Sequence, residues 1–310
     1  MKILLIGCTG FIGKELIPKL VNEKHEIYIV SRKNINELGL NLIDDKINFL
    51  KIDLLKYKNW TNPYLINYLK KAEGIVNLAG EPIADKRWTE IQKKLLESSR
   101  INITNYLMEN LKKLKITPKV IINGSAIGYY GTSRDLEFDE NNLQGNDFLA
   151  KLCLQWEEAA SKKPLFTRLV IFRIGIVLDS SGGALGKMLP IFKIGLGGPI
   201  GDGNQWMSWI HRQDLCSLIN AALINKKFKG VYNAVSPQPV RMKEFSNVLA
   251  KCLKKPNFLP VPGFLLNLLL GDSSKLVLEG QKVNTVKINK NIYKFKYPLL
   301  EDAIYSATKN

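Results

Sequence analysis

Short apolar runs alternate with amphipathic stretches along the first half of the chain. The runs that predict buried strands are residues 2–6, 26–30, 47–52, 74–78, 119–123 and 168–177. Between them, 11–22 repeats its apolar residues at a helical period, and 89–114 predicts a long helix for which Thr89 is a suitable N-cap. Strands separated by helices of this length predict a parallel sheet with right-handed crossovers.

The pattern changes after Leu178. Glycine-rich loops occupy 182–186 and 195–203, three prolines fall within 256–262, and helices are predicted at 214–223 and 242–253. We therefore expect an α/β fold with a doubly wound parallel sheet over residues 1–180 and a smaller, mixed substrate-binding lobe over 181–310. No flexible linker separates the two parts, so we expect them to share a cleft, and elements of the second part can return to the first.

The composition fits a folded protein of this kind. Of 310 residues, 45% are hydrophobic and 24% are charged, which excludes disorder, collagen and coiled coil. The four cysteines form no CxxC pair and there are only two histidines, so we predict no metal site and a reducing compartment. No apolar run has the length of a membrane span, and the N-terminus is typical of a first strand rather than a signal peptide. We expect a cytoplasmic protein without membrane association.

The net charge of +17 raises the question of a nucleic-acid partner. The lysines are spread along the chain and form no basic stripe interleaved with aromatic residues. We therefore predict no nucleic-acid partner, because the case for nucleic-acid binding would rest on charge alone. The positive charge would still help to attract a phosphorylated ligand.

The segment between the first strand and the first helix has a GxxGxxG pattern: Gly7-Cys8-Thr9-Gly10-Phe11-Ile12-Gly13. In this context Gly7 permits a tight turn, Gly10 lets backbone amides approach a pyrophosphate, and Gly13 lets helix and strand pack closely. The helix N-terminus adds partial positive charge for the phosphates. The segment predicts a Rossmann-type dinucleotide site in which the loop residues, Cys8 apart, bind the cofactor.

The end of the second strand indicates which dinucleotide is bound. It has the sequence Val30-Ser31-Arg32-Lys33, where an NAD enzyme commonly has an acid for the ribose 2′-hydroxyl. Arg32 suits a 2′-phosphate, because a guanidinium makes bidentate, charge-assisted bonds to it. We predict NADP(H) rather than NAD(H). The alternative is a solvated basic loop.

Further segments carry a related pattern: Asp53-Leu54 after the third strand, Asn77-Leu78-Ala79-Gly80 after the fourth, Asn102 in the long helix, Ser125-Ala126-Ile127-Gly128-Tyr129-Tyr130-Gly131, Arg173, and Trp209-Ile210-His211-Arg212-Gln213-Asp214-Leu215. With the glycine spacing, they resemble the extended, epimerase/dehydratase-like branch of the short-chain dehydrogenase/reductase superfamily. Residues 77–100, 124–131 and 195–214 more narrowly resemble its "epimerase family protein" group, sometimes labelled cell-division-inhibitor-like. The resemblance covers nearly the whole chain and names no substrate.

The resemblance implies roles for the matched residues. The implied cofactor contacts are Asp53, Leu54, Leu78, Ala79, Gly80 and Asn102. Ser125 and Tyr130 fall in the segment that resembles the catalytic-serine segment of the superfamily, and Arg173 in a cofactor- and substrate-side element.

One departure concerns the chemistry. The superfamily pairs its serine with a Tyr and a Lys four residues apart, the Tyr moving the proton and the Lys lowering the pKa of the Tyr. The corresponding window, 146–153, has Phe148 and Leu152 instead, and Lys151 would point about 100° away around a helix. Either another group supplies the proton or no such transfer occurs.

The candidate substitutes for the proton donor are Tyr129, Tyr130 and His211. Tyr130 fits the Tyr-Gly position of the family, where the residue normally lines the pocket. His211 could be a general acid at neutral pH, although a structural contact is the alternative. Asp214 is predicted as a helix N-cap.

Other residues are candidates for substrate binding. Glu81, Arg87 and Trp88 follow the fourth strand, where loops line the crevice of such folds, and the alternative is a solvated loop with a packing Trp. Gln205 and Trp206 end a glycine-rich segment that could close over a ligand.

Together these features predict an NADP(H)-dependent oxidoreductase or epimerase-like enzyme with an atypical active site, acting on a small or nucleotide-linked carbonyl or alcohol. The alternative is a non-catalytic NADP(H) sensor or regulatory protein, which the missing Tyr and Lys favour. The sequence leaves a homodimer open.

Overall fold

The computed structural model describes residues 1–34, 46–288 and 292–309. The strands are β1 (Lys2–Ile6), β2 (Glu26–Ser31), β3 (Ile47–Lys51), β4 (Gly74–Asn77), β5 (Val120–Ala126), β6 (Glu137–Phe138), β7 (Arg168–Ile174), β8 (Ile176–Leu178), β9 (Trp206–Met207), β10 (Trp209–His211), β11 (Gly230–Ala234), β12 (Val240–Arg241) and β13 (Lys282–Val283). The helices are α1 (Gly13–Asn22), α2 (Pro63–Lys71), α3 (Glu90–Glu97), α4 (Ile103–Lys113), α5 (Phe148–Ser161), α6 (Gly183–Lys193), α7 (Arg212–Ile224), α8 (Met242–Leu253), α9 (Gly263–Leu270), α10 (Lys275–Leu278) and α11 (Leu300–Thr308).

A seven-stranded parallel sheet with the order β11-β7-β5-β4-β1-β2-β3 forms the centre of the molecule. Successive residues of a strand point to opposite faces, so the apolar strands supply two cores. Ile3 and Leu5 of β1 pack in one core with residues of α1 and α7. Leu4 and Ile6 pack in the other with residues of α2 and α4. The predicted doubly wound α/β sheet is confirmed.

The later part of the chain contributes to two layers. Its α6, α8 and α11 enclose a third core that includes Trp209 and Phe245. In contrast, β11 forms the edge of the central sheet beside β7, and α7 packs against the sheet together with α1. The division of the chain at 180/181 stays a prediction. Of the elements after residue 180, β11 lies in the central sheet and α7 packs against it. Among the residues described, no helix combines the length and the apolar character that crossing a bilayer requires.

The strand predicted at 168–177 is interrupted at Gly175. The Gly175 amide donates to the Ala234 carbonyl in the central sheet, whereas the next amide, that of Ile176, donates to the Ser208 carbonyl. The chain therefore leaves the sheet, and β8 pairs with β10 instead of continuing β7. The apolar character continues across the break because β7 is buried and β8 is buried or half-buried, so composition did not mark it.

The helix predicted at 89–114 is also divided. Thr89 is its N-cap, as predicted, and accepts from the Gln92 amide. A π-helical turn at Ser98–Asn102 separates α3 from α4. In this turn the side chains of Ser98, Ser99 and Arg100 donate to backbone carbonyls of Leu95 and Leu96. Side-chain competition of this kind favours irregular helical turns, which often occur at functional sites.

The prediction that Asp214 caps its helix was wrong. The helix α7 begins at Arg212, and His211 is its N-cap, with Nδ1 accepting from the Gln213 amide. Asp214 is buried, and its carboxylate accepts from the Tyr293 hydroxyl and from the amides of Lys296 and Tyr297, each at 2.8 Å. Asp214 therefore anchors the segment that leads to α11.

Candidate functional site

The candidate site lies at the carboxyl ends of the central strands. The chain runs from β1 outwards to β2 and β3, and then returns to place β4 on the other side of β1. Ligands of open parallel sheets bind at such a switch point, because the loops that follow the two strands diverge and leave a crevice.

The phosphate loop, residues 7–13, forms the floor of this crevice. Gly7 has φ of 72°, and an added Cβ there would lie 2.4 Å from the Ala79 backbone nitrogen, so the loop packs directly on the residues after β4. A Cβ at Gly13 would lie 1.7 Å from the Cys8 carbonyl oxygen. At Gly10, in contrast, an added Cβ would meet no atom of the described chain within 4 Å. The loop therefore fits a backbone cradle that is open to a ligand at Gly10.

Beside the cradle, an open cavity of about 490 Å³ lies at the ends of β2 and β3. Its lining residues are Arg32, Lys51, Ile52, Asp53, Asn59 and Asn62. The Thr9 hydroxyl lies 3.1 Å from the hydroxyl of Ser31, the last residue of β2, so the phosphate loop contacts the strand end that precedes Arg32. Two cations at its edge make it suited to an anionic group, as the sequence predicted for Arg32.

Asp53 and Leu54, which were predicted as cofactor contacts, contribute in different ways. The Asp53 carboxylate accepts from the Leu55 amide. Leu54 is buried in the core, and its carbonyl accepts from Trp60 Nε1, so Leu54 offers a ligand little of its side chain.

The residues that follow β4 form the other wall of the crevice. The Asn77 side chain is fully buried and donates to Thr104 and Asn123 while it accepts from the Ala79 amide. This locks the turn at Leu78 and Ala79. An added Cβ at Gly80 would lie 2.8 Å from the guanidinium carbon of Arg100.

Arg100 is a residue that the sequence analysis did not single out. Arg100 donates to the Glu81 carbonyl, and its guanidinium carbon lies over the Trp156 ring, 5.4 Å from the ring centroid. Burial lowers its pKa. Asn102, at the end of the same π-helical turn, is exposed. The turn thus places the Arg100 guanidinium below the crevice wall. It leaves the Asn102 side chain accessible to a ligand.

A buried polar network lies under the end of β5. Ser125, Arg173 and Asn233 are register partners on β5, β7 and β11, so their side chains share one face of the sheet. Arg173 forms a bidentate pair with Glu157 of α5, with nitrogen–oxygen distances of 2.9 and 2.8 Å. The Ser125 hydroxyl donates to the same carboxylate at 2.6 Å.

Tyr130 completes the network. Its hydroxyl donates to Asn233 Oδ1 at 2.7 Å and accepts from Arg173 Nη1 at 2.9 Å. Burial raises the pKa of Tyr130 to about 12, against the opposite effect of Arg173. The guanidinium carbon of Arg173 also lies 3.4 Å from the ring centroid of Tyr129. Both Tyr130 and Arg173 therefore have their polar atoms occupied within the protein.

Glu157 is the member of this network that sequence reasoning missed. The available signal was its position on the apolar stripe of α5, in line with Ala150, Cys153 and Ala160, all of which are buried. A charge on such a stripe requires a buried partner, and its partner, Arg173, was assigned a different role.

Phe148 and Leu152 lie in an apolar cluster. Phe148 is the first residue of α5, which Asp147 caps, and its ring centroid lies 5.4 Å from that of Trp88. Leu152 is buried among Trp88, Leu96 and partly buried neighbours that include Leu276. Lys151 is exposed. Phe148 and Leu152, the residues predicted in place of the Tyr and the Lys, thus have no group that transfers a proton, and their equivalence to that pair stays a prediction.

The comparisons with known proteins agree with this geometry. The model of the NAD dependent epimerase/dehydratase family matches residues 3–234, and that of a domain of unknown function, DUF1731, matches residues 261–307. The chain belongs to the NAD dependent epimerase/dehydratase family. The family predicted from the sequence is therefore confirmed.

Relatives cover nearly the whole of this epimerase-family chain. The chloroplastic homolog of epimerase family protein SDR39U1 from Arabidopsis thaliana is 39% identical over 306 residues, which are 98% of this chain and 86% of that protein. Epimerase family protein YfhF from Bacillus subtilis is 35% identical over 308 residues, 98% of this chain and 97% of that one. A crystal structure of human epimerase family protein SDR39U1 (isoform2) with NADPH has a TM-score of 0.88 at 32% identity and covers both chains fully.

In this epimerase-family chain, His211 is not a member of the hydrogen-bond network that contains Ser125. It lies at the end of β10 and stacks on Tyr297, with ring centroids 4.0 Å apart. Burial lowers the pKa of His211 to about 4, although the carboxylates of Asp214 and Asp179 act against this. The imidazole is therefore neutral at pH 7. A catalytic role for His211 stays a prediction, and its observed contacts are structural.

The predicted substrate-binding residues fall into two groups. Glu81, Arg87 and Trp88 lie in one loop, in which Trp88 is buried and the Arg87 guanidinium lies against Gly271. The second group, Gln205 and Trp206, makes its polar contacts within the protein. Gln205 is buried and donates to the carbonyls of Ile200 and Val277, and Trp206 donates to the Arg134 carbonyl and carries Arg241 over its ring at 3.8 Å. Substrate contacts from either group stay predictions.

The variant Glu157→Gln tests the buried network. It leaves the Arg173 charge buried without its partner, and we expect it to lower the free energy of unfolding by about 3 to 5 kcal/mol. Urea unfolding at pH 7 measures this change. Glu158→Gln, at an exposed site on the same helix, is the matched control. Equal stability of the two variants would contradict the assignment.

A pH series tests the state of His211. Because its pKa is lowered in the folded protein to about 4 from 6.5, the unfolded chain binds more protons as the pH falls. The contribution of neutral His211 to the free energy of unfolding is complete above pH 6.5 and decreases towards pH 4. At pH 4.5 the decrease is roughly 2 to 3 kcal/mol. We expect the wild type to lose that much more stability than His211→Asn, which retains a capping side chain, between pH 7 and pH 4.5 in urea unfolding. Parallel losses would show that His211 titrates normally.

Proposed function

We propose that this chain is an NADP(H)-dependent oxidoreductase or epimerase-like enzyme of the extended short-chain dehydrogenase/reductase type. The observations that carry the proposal are the cradle that is open at Gly10 after β1 and, at the end of the neighbouring strand β2, the cavity lined by Arg32 and Lys51. A backbone cradle suits a pyrophosphate, and two adjacent cations suit a further phosphate. The structure of a relative with NADPH supports the same choice.

The chain offers a distinct group for each part of the cofactor. The phosphate-loop backbone would hold the pyrophosphate, and Arg32 would pair with the 2′-phosphate. The turn at Asp53 and Leu54 would border the adenine. Ala79, Gly80 and Asn102 would line the opposite wall of the crevice. The bound nicotinamide would supply hydride transfer.

The substrate side rests on Ser125. Because its hydroxyl donates its only hydrogen to Glu157, it presents lone pairs and would orient a substrate hydroxyl by accepting from it. Glu157 is paired with Arg173 through two hydrogen bonds, so its carboxylate oxygens are already occupied. Of the proposed substitutes for the missing Tyr, Tyr130 shares this network, whereas His211 does not. The substrate remains a small or nucleotide-linked alcohol or carbonyl, and a cytoplasmic location remains part of the proposal.

The second candidate function is a non-catalytic NADP(H) sensor. Its support is the apolar packing of Phe148 and Leu152, which leaves the usual place of the proton donor without one. The cofactor site serves both candidates equally, so only turnover separates them.

Calorimetry with NADPH and NADH tests the cofactor assignment. We expect NADPH to bind more tightly, and Arg32→Asp to weaken NADPH binding by about 10- to 100-fold, because an attractive charge becomes a repulsive one. The control is Lys226→Asp, an exposed site that precedes β11 at the opposite edge of the sheet. Equal weakening by both variants would show a general charge effect, and no binding of either cofactor would overturn both candidate functions.

Turnover separates the enzyme from the sensor. With NADPH and a panel of carbonyl compounds, or NADP⁺ and alcohols, we expect cofactor conversion by the wild type. In the alcohol direction, in which Ser125 would accept from the substrate hydroxyl, we expect a kcat lower by about 10-fold or more in Ser125→Ala. Ser161→Ala, which removes a hydroxyl that donates to the Glu157 backbone carbonyl, is the control. NADPH affinity should be unchanged in Ser125→Ala. Unequal binding of NADPH and NADP⁺ without conversion of either would favour the sensor.

A further inference from the structure

An ion pair crosses the crevice above the phosphate loop. Arg32 directly follows β2, and Glu81 is the fourth residue after β4, with Arg32 Nη2 3.6 Å from Glu81 Oε2. In the sheet, β1 lies between β2 and β4. Strands two positions apart are about 10 Å apart, so the two side chains meet over the end of β1, where the phosphate loop begins.

The two partners of this pair are held very differently. The Glu81 amide donates to the Ser99 hydroxyl at 2.9 Å, and its carbonyl accepts from Arg100 at 2.9 Å. The Glu81 side chain is 14% exposed, whereas that of Arg32 is 55% exposed. Glu81 is therefore the fixed partner, and Arg32 is the partner that can turn towards another anion.

Glu81 would not lose all of its charge compensation if Arg32 moved. Lys86 Nζ lies 3.2 Å from the other carboxylate oxygen, Oε1. A carboxylate with a second cation in place can release the first at a small cost. Arg32, in turn, needs a new anion, and a phosphate provides one with a larger charge than a carboxylate.

We propose that Glu81 is a positioning residue that acts through Arg32. Glu81 competes with the dinucleotide for the Arg32 guanidinium. The inference rests on the proposed function, namely that the cofactor lies in this crevice. Binding of any dinucleotide displaces the pair, because the pair crosses the crevice, and the 2′-phosphate of NADP(H) then supplies Arg32 with a replacement partner. Glu81 thus lowers the affinity for both cofactors, and only NADP(H) recovers a bond at Arg32. This places Glu81 at the cofactor rather than in the substrate group in which the sequence analysis set it.

A double-mutant cycle measured by calorimetry tests the competition. In the wild-type background, we expect Glu81→Gln to tighten the binding of NADPH and of NADH by about two- to fivefold, the range of a partly exposed ion pair. In an Arg32→Ala background, the same substitution should leave both affinities unchanged, because the guanidinium for which Glu81 competes is gone. The backbone bonds of residue 81 are the same in Gln, so the loop keeps its anchors.

The cycle separates the possible failures. Equal tightening in both backgrounds would show that Glu81 acts only as a negative charge near the ligand, and would overturn the competition. No effect in either background, with normal NADPH binding by the wild type, would also overturn it while leaving the proposed function in place. Absence of NADPH binding by the wild type would overturn the proposed function itself.

Discussion

The buried pair of Arg173 and Glu157 is the interaction on which the active end of the sheet depends. It joins β7 to α5, and through Ser125, Tyr130 and Asn233 it reaches β5 and β11. A buried ion pair is stable only if its remaining hydrogen-bonding capacity is satisfied. Here every guanidinium nitrogen of Arg173 donates to a protein oxygen, and the stacked Tyr129 ring covers the guanidinium.

This network also decides what the site can offer a substrate. A serine that donates to a carboxylate can only accept from a ligand, and a tyrosine held between an arginine and an asparagine keeps its proton at neutral pH. Beside them, Phe148 and Leu152 form an apolar wall with Trp88. The end of β5 and the start of α5 therefore combine a rigid polar network with an apolar surface.

The charged side chains at the ends of β2, β3 and β4 are held in a different way. These charges are partly exposed and their partners can be exchanged: Arg32 faces both Glu81 and the cavity that Lys51 borders, and Lys86 shares Glu81. Exposed pairs contribute little to stability, so they can reorganise when a multiply charged ligand arrives. One sheet thus holds a rigid polar network at the ends of β5, β7 and β11 and an adaptable set of charges at the ends of β2 and β4.

Much of the architecture could be predicted from the sequence, because strand and helix periodicity and the glycine spacing are local signals. The strand β1 and the helix α8 have the bounds that were expected, and the phosphate loop follows from seven consecutive residues in a strand–turn–helix context. The partner of a charged side chain, in contrast, is not a local property of the sequence. The departure of the chain from the sheet at Gly175, the pairing of Glu157 with Arg173 and that of Arg32 with Glu81 each join residues that are distant in sequence or belong to separate elements. Such contacts depend on which strands become neighbours, and only the tertiary structure decides that.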